Sequence, residues 1–148
     1  MNMRRMINVL VLLAACQGFT QTPAPKPLPV VPAADIAQLE ALIGTGLTAK
    51  PIQPRKVLVF SRCEGFVHGE AIVYGIKVLK IAARTGAFAA TFSTNYTALT
   101  DKVALFTYDA VVLNNTTHLK AKEHPALVPN LIEFVKSGRG LCVIHAGA

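Results

Sequence analysis

Four short apolar runs, each of strand length, recur over the last two-thirds of the chain, and the segments between them change to helical spacing. The runs are Lys56-Val57-Leu58-Val59-Phe60-Ser61, Ala89-Ala90-Thr91-Phe92-Ser93, Tyr108-Asp109-Ala110-Val111-Val112-Leu113-Asn114 and Leu141-Cys142-Val143-Ile144-His145. Apolar residues that run on without a polar alternate mark strands buried on both faces, which is the habit of parallel sheets. From residue 69 to 85 the period becomes 3.6. Ile72, Ile76, Leu79 and Ala83 share one face, Glu70, Lys77, Lys80 and Arg84 lie mostly on the other, and Gly86 is a stop signal. Residues 97–106 read as a short helical or irregular crossover. Pro125 and Pro129 delay the next regular helix to about residue 129, from which it runs to Ser137 with Leu131, Ile132, Phe134 and Val135 inward.

The order βαβ(α)βαβ predicts an α/β fold: a doubly wound parallel sheet with helices on both faces and strand order 2-1-3-4, a flavodoxin-like arrangement. Ligands bind such sheets beyond the carboxyl ends of the strands, so residues 61–68, 114–118 and 145–148 are where chemistry is expected. The chain ends three residues after the fourth run. On the sequence alone this reads as a domain cut short after its fourth strand, since a further βα unit is expected to cover that strand.

Three motifs stand on these loops. Gly65-Phe66-Val67-His68 follows the first strand. Its glycine permits a tight turn, Phe66 is expected to pack back on the core, and His68 is delivered to the sheet edge. Asn114-Asn115-Thr116 ends the third strand with groups that donate and accept hydrogen bonds, suited to a polyol or to capping the loop. Gly138-Arg139-Gly140 leads into the fourth strand and its His145-Ala146-Gly147 turn. Together these resemble the ThuA-like (trehalose utilisation) family, over residues 55–148. The family's pattern is Gly-Phe-x-His after the first strand, a Tyr-Asp-apolar-Asn third strand, and a Gly-rich helix end followed by an apolar strand and His-Ala-Gly. The resemblance implies a class I glutamine amidotransferase-like fold and a role in carbohydrate catabolism, on trehalose-type or oxidised sugars. Glu64, Gly65, Phe66, Asn114, Asn115, Ala146 and Gly147, on or beside these motifs, are the candidate substrate contacts.

The amidotransferase relatives carry a nucleophilic cysteine in a strand-to-helix elbow. Here Val143-Ile144-His145-Ala146-Gly147 occupies that place, and an imidazole cannot form the thioester that amide transfer needs. Cys142 lies three residues early and reads as a small buried core residue, unlinked to Cys63. Glutaminase activity is therefore not expected. His68 and His145 are the candidate catalytic pair, because imidazoles titrate near neutrality and suit general acid–base work on a hydroxyl or carbonyl. The same two rings could contribute to a divalent metal site with a third ligand from elsewhere, or simply shape the cleft. No cofactor is evident in the sequence. Glu64 is a candidate second carboxylate or a solvated one, and His118 and His124 read as solvated loop residues.

The first 54 residues are of another kind. Arg4 and Arg5 precede an apolar run at residues 6–15, too short to span a bilayer but suited to an export signal. It ends Leu13-Ala14-Ala15-Cys16, which resembles a bacterial lipobox with Cys16 as the lipidated residue. Residues 1–16 thus read as signal, and residues 17–54 as a Pro-rich tether holding a short helix at 33–43. The tether carries residues 55–148 at the cell envelope or in the periplasm, with the membrane met through the anchor. Losing Arg4 and Arg5 lowers the formal charge from +7 to +5. The remaining cations are scattered and there is no Trp, so no nucleic-acid surface is expected. The partner implied by the resemblance is a small-molecule sugar. The reading is an exported sugar-processing protein, with a tethered, non-catalytic carbohydrate-binding domain as the alternative.

Overall fold

A computed structural model describes residues 27–44 and 51–147. Residues 1–16, read as an export signal ending at Cys16, and the start of the Pro-rich segment lie outside the described residues. In chain order the elements are α1 (Ala33–Ile43), β1 (Lys56–Phe60), α2 (Gly69–Arg84), β2 (Ala89–Ser93), α3 (Thr97–Thr100), α4 (Lys102–Leu105), β3 (Ala110–Asn114), α5 (Leu127–Lys136) and β4 (Gly140–Ile144). The strands form one parallel sheet in the order β2-β1-β3-β4, the order expected from the alternation of apolar runs and helical segments.

Alternation along the strands divides the core in two. Leu58 and Phe60 of β1 and Val111 and Leu113 of β3 point to one face, where they meet Tyr96, Leu99, Leu105, Leu127 and Phe134 from α3, α4, α5 and their junctions. Asn114 points to the other face, against Gly75 of α2. The most buried residues of α2 are Ile72, Ile81 and Ala82. Its inward stripe is therefore turned slightly from the Ile72/Ile76/Leu79/Ala83 face that spacing suggests, because Gly75 has to approach the end of β3.

Several local readings change for physical reasons. The crossover is two single turns, broken where Asp101 goes extended and its side chain accepts the Ala104 N–H at 3.0 Å. Helix α5 starts at Leu127, two residues before Pro129. Proline is tolerated there because first-turn N–H groups have no intrahelical partner. Its buried stripe is Leu127, Asn130 and Phe134, and the Asn130 amide donates to the Leu99 and Thr100 carbonyls that end α3. Ile132 and Val135, expected inward, are exposed beside Val128. The helix carries two apolar stripes and only one can face the sheet. Cys142, expected to be buried, is exposed and is a free thiol, as is the half-buried Cys63. Its register partner is Val112, so it shares the α2 face; α2 packs on β2 and β3 and leaves that face of β4 open.

The segment read as a tether is in part docked. Val31 is buried, the Tyr74 hydroxyl of α2 donates to Asp35, and Arg84 pairs with Glu40 at 2.9 Å. Among the described residues, no helix is long and apolar enough to cross a membrane.

At the amino edge of the sheet, Asp109 ties β1 to the entry of β3. One carboxylate oxygen accepts the Lys56 N–H at 2.7 Å and the other accepts from Arg55 at 3.3 Å. The Lys56 N–H, helped by Arg55, holds the Asp109 carboxyl below its ordinary range. The sign follows: the native state binds fewer protons than the unfolded chain, so this stabilisation is present above the unfolded carboxyl range and is lost as pH falls through the native one. Thermal melts taken from about pH 6 down to about pH 3 are expected to show a falling midpoint, with a shallower fall for Asp109→Asn.

Candidate functional site

Three loops meet over the carboxyl edge of the sheet, and a run of polar residues after β3 ties them together. Asn115 donates its backbone N–H to the Ile144 carbonyl at the end of β4. The Thr116 hydroxyl donates to the Gly147 carbonyl at 2.7 Å, which secures the turn after β4. Thr117 reaches the other way: its carbonyl accepts the Glu64 N–H at 3.0 Å and its hydroxyl donates to the Phe66 carbonyl at 3.0 Å. The Cys63 thiol lies against the same hydroxyl and the same carbonyl. The loop after β1 and the turn after β4 are thus both fastened to one segment.

His68 and His145 come together at this junction. Their ring centroids are 4.5 Å apart with the planes nearly perpendicular. His68 is the residue before α2, and its ring turns to the site instead of capping the helix. His145 stands one residue past β4 with φ of 52°. This left-handed backbone is uncommon for a residue with a side chain, though His, Asn and Asp adopt it more readily than most. It gives the sharp turn of a nucleophile elbow, which lifts the imidazole off the end of the strand. The turn also needs Gly147: a Cβ there would stand 2.6 Å from the Leu113 carbonyl oxygen and 2.7 Å from Val143. Nδ1 of His145 lies 2.9 Å from Asn115 Oδ1.

The other expected site residues fall into different roles. Phe66 is 75% exposed and does not pack on the core. The loop stapled through Thr117 turns its ring outward, edge-on to His68 at 4.9 Å, so the cleft has an aromatic face open to solvent. Gly65 lies against the His118 ring, too close for any side chain unless that ring moves. Asn114 and Asn115 are fully buried. Their amides bond within the protein, so neither reaches a ligand directly, and Asn115 acts on the site through His145. Ala146 is half-buried and Gly147 buried in the elbow.

Glu64 belongs to a neighbouring cluster that the residue pattern only faintly marks. Arg62 Nε lies 2.5 Å from its carboxylate, and the Tyr96 hydroxyl donates to it at 3.3 Å. The Arg62 hydrogen bond, with the charges of Arg62 and Lys120, holds the Glu64 carboxyl below its ordinary range. A carboxylate so held stays ionised near neutrality and is a poor general acid. Arg62 also sits over the Tyr96 ring at 4.9 Å, and His124 stacks on that ring at 3.8 Å. His124 is therefore packed, not solvated as expected. Only the strand-end position of Arg62 and the aromatic character of Tyr96 hint at this in the sequence.

Among the described residues, no group of three or more His, Cys, Asp or Glu side chains gathers closely enough to hold a metal. A divalent ion at this edge would find two imidazoles, one of which already engages Asn115 through Nδ1.

A family model described as ThuA, trehalose utilisation, matches residues 56–148, the whole span from β1 to the turn after β4. No curated protein and no solved structure matches the chain. The parallel sheet fits the class I glutamine amidotransferase-like assignment, and the chain belongs to the ThuA family.

Proposed function

We propose that this member of the trehalose-utilisation family processes a trehalose-type or oxidised sugar at the sheet edge beside the paired rings of His68 and His145, with the two imidazoles transferring protons. The single observation that carries the reading is the pairing of these rings, 4.5 Å apart, at the carboxyl edge of a parallel sheet. Such edges are where doubly wound folds act on ligands. One ring can remove a proton from a sugar hydroxyl, or from a carbon beside a carbonyl, while the other returns a proton to the leaving or developing oxygen. Phe66, exposed beside His68, offers an apolar face to the C–H side of a sugar ring. Amide transfer from glutamine is not part of this reading, because an imidazole stands at the elbow in place of a thiol.

A tethered sugar-binding role without turnover is the second reading, and the open Phe66 ring favours it. We further propose that residues 1–16 export the chain and that Cys16 anchors it to the cell envelope, as the lipobox-like segment suggests. The test is to incubate the protein with trehalose and with ketone-bearing disaccharides and to follow the sugars by NMR. Turnover is expected for the parent, with a loss of about 100-fold or more in His68→Gln. Saturable sugar binding without any conversion would leave the binding reading standing and remove the enzymatic one.

A further inference from the structure

The polar groups under the cleft form a chain in which each link permits one direction only. It begins at the Ile72 carbonyl, in the first turn of α2. The Asn114 amide nitrogen lies 3.1 Å from that oxygen and 3.1 Å from the Ser61 hydroxyl. A carbonyl oxygen only accepts, so Asn114 must present its NH2 group to it. Its own oxygen then faces Asn115, whose amide nitrogen lies 2.9 Å away. That oxygen too only accepts, so Asn115 must present NH2 to it. What remains is Asn115 Oδ1, 2.9 Å from Nδ1 of His145. An amide oxygen facing a ring nitrogen requires that nitrogen to carry the proton.

We propose that Asn114 and Asn115 are positioning residues: a buried amide relay that fixes neutral His145 as the Nδ1–H tautomer and leaves the lone pair on Nε2. The relay deepens the acid–base reading above and rests on it for its catalytic meaning. Its physical basis is burial. Asn114 and Asn115 are both 0% exposed, so water cannot satisfy a reversed amide, and two facing donors at any link would leave a buried polar group unpaired. Gly75 makes room for the relay, since a Cβ at that position would collide with the Asn114 carboxamide. The relay also sets the two histidines against each other. Ile72 donates its N–H to the His68 carbonyl at 3.0 Å while its own carbonyl anchors Asn114, so one helical turn joins the His68 backbone to the relay that orients the His145 ring.

The tautomer is directly measurable. An imidazole free in water favours the proton on Nε2, so the relay predicts the less common form. In the full chain labelled with 15N-histidine, long-range proton–nitrogen correlations at about pH 8.5, above the usual histidine range, are expected to show His145 Nδ1 protonated and Nε2 bare. His145→Asn identifies the signals. Asn115→Gly deletes the acceptor and suits the left-handed backbone at this position (φ 56°); it is expected to shift His145 toward the Nε2–H form. Asn115→Asp keeps an oxygen toward Nδ1 but loses the NH2 that Asn114 Oδ1 accepts; it is expected to hold His145 as Nδ1–H while lowering the melting midpoint. A parent spectrum with the proton on Nε2 overturns the relay. So does an unchanged His145 pattern in Asn115→Gly, provided the backbone amide spectrum shows it folded. Were the Nδ1–H form present while His145→Asn still turned sugar over, the relay would stand and the acid–base reading would fall.

Discussion

His145→Asn is expected to lower sugar turnover by about 100- to 10,000-fold, the usual range for a positioned general acid or base, while sugar affinity stays close to the parent's. Asparagine is the informative replacement because His145 has φ of 52°, and Asn is among the few side chains that accept the left-handed region readily. The elbow therefore survives and the proton-transfer group is lost. A loss of that size is about 3–5 kcal/mol of transition-state stabilisation, too large for a slight misplacement of the loop. The measurement is steady-state turnover alongside calorimetric binding of the same sugar. Affinity falling in step with turnover would mean that the ring binds the ground state and does no proton transfer. Full turnover in the variant would assign the chemistry to other residues.

The largest effect on stability is expected for Phe134→Ala, at about 3–5 kcal/mol. Phe134 is fully buried, meets Phe106 edge-to-face at 5.6 Å, and lies beneath the Arg139 guanidinium at 5.6 Å. Truncation opens a cavity between α5 and the sheet that a helix held by Asn130 closes only in part. Ile132→Ser, two residues earlier on the same helix, is expected to change stability by no more than about 0.5 kcal/mol, because Ile132 is half exposed. Chemical denaturation of the two variants separates the stripes. Equal losses would mean that α5 packs with a different face on the sheet.

That contrast also marks what the sequence made legible. The strands, their order and the edge at which the loops meet follow from local pattern: uninterrupted apolar runs, a helical period between them, and glycine at the stops. The meeting of His68 and His145 followed from topology, since one ends the loop after β1 and the other begins the turn after β4, on the same edge of the sheet. Contacts that depend on how loops fold over one another were not legible. Phe66 looks like a core residue until Thr117 is seen to fasten the loop that turns it outward. Asn114 and Asn115 look like ligand contacts until both are seen to be fully buried, Asn114 against Gly75 of α2 and Asn115 between Asn114 and His145. The Arg62/Glu64 pair, Tyr96 and His124 come from three distant parts of the chain, and no spacing rule joins them. On α5, two apolar stripes of similar strength gave no basis for choosing the buried one, and Cys142 reads as core because its neighbours in sequence are apolar on both sides.

The role of the paired imidazoles is open to direct observation in the full chain labelled with 15N-histidine, as trehalose or a ketone-bearing disaccharide is added stepwise. The ring signals of His68 and His145 are expected to move together and to saturate at one dissociation constant. Those of His118 and His124, which lie against Gly65 and Tyr96, are expected to change less. Saturation of turnover with the His68 and His145 rings unmoved would contradict the account and put the sugar elsewhere on the molecule.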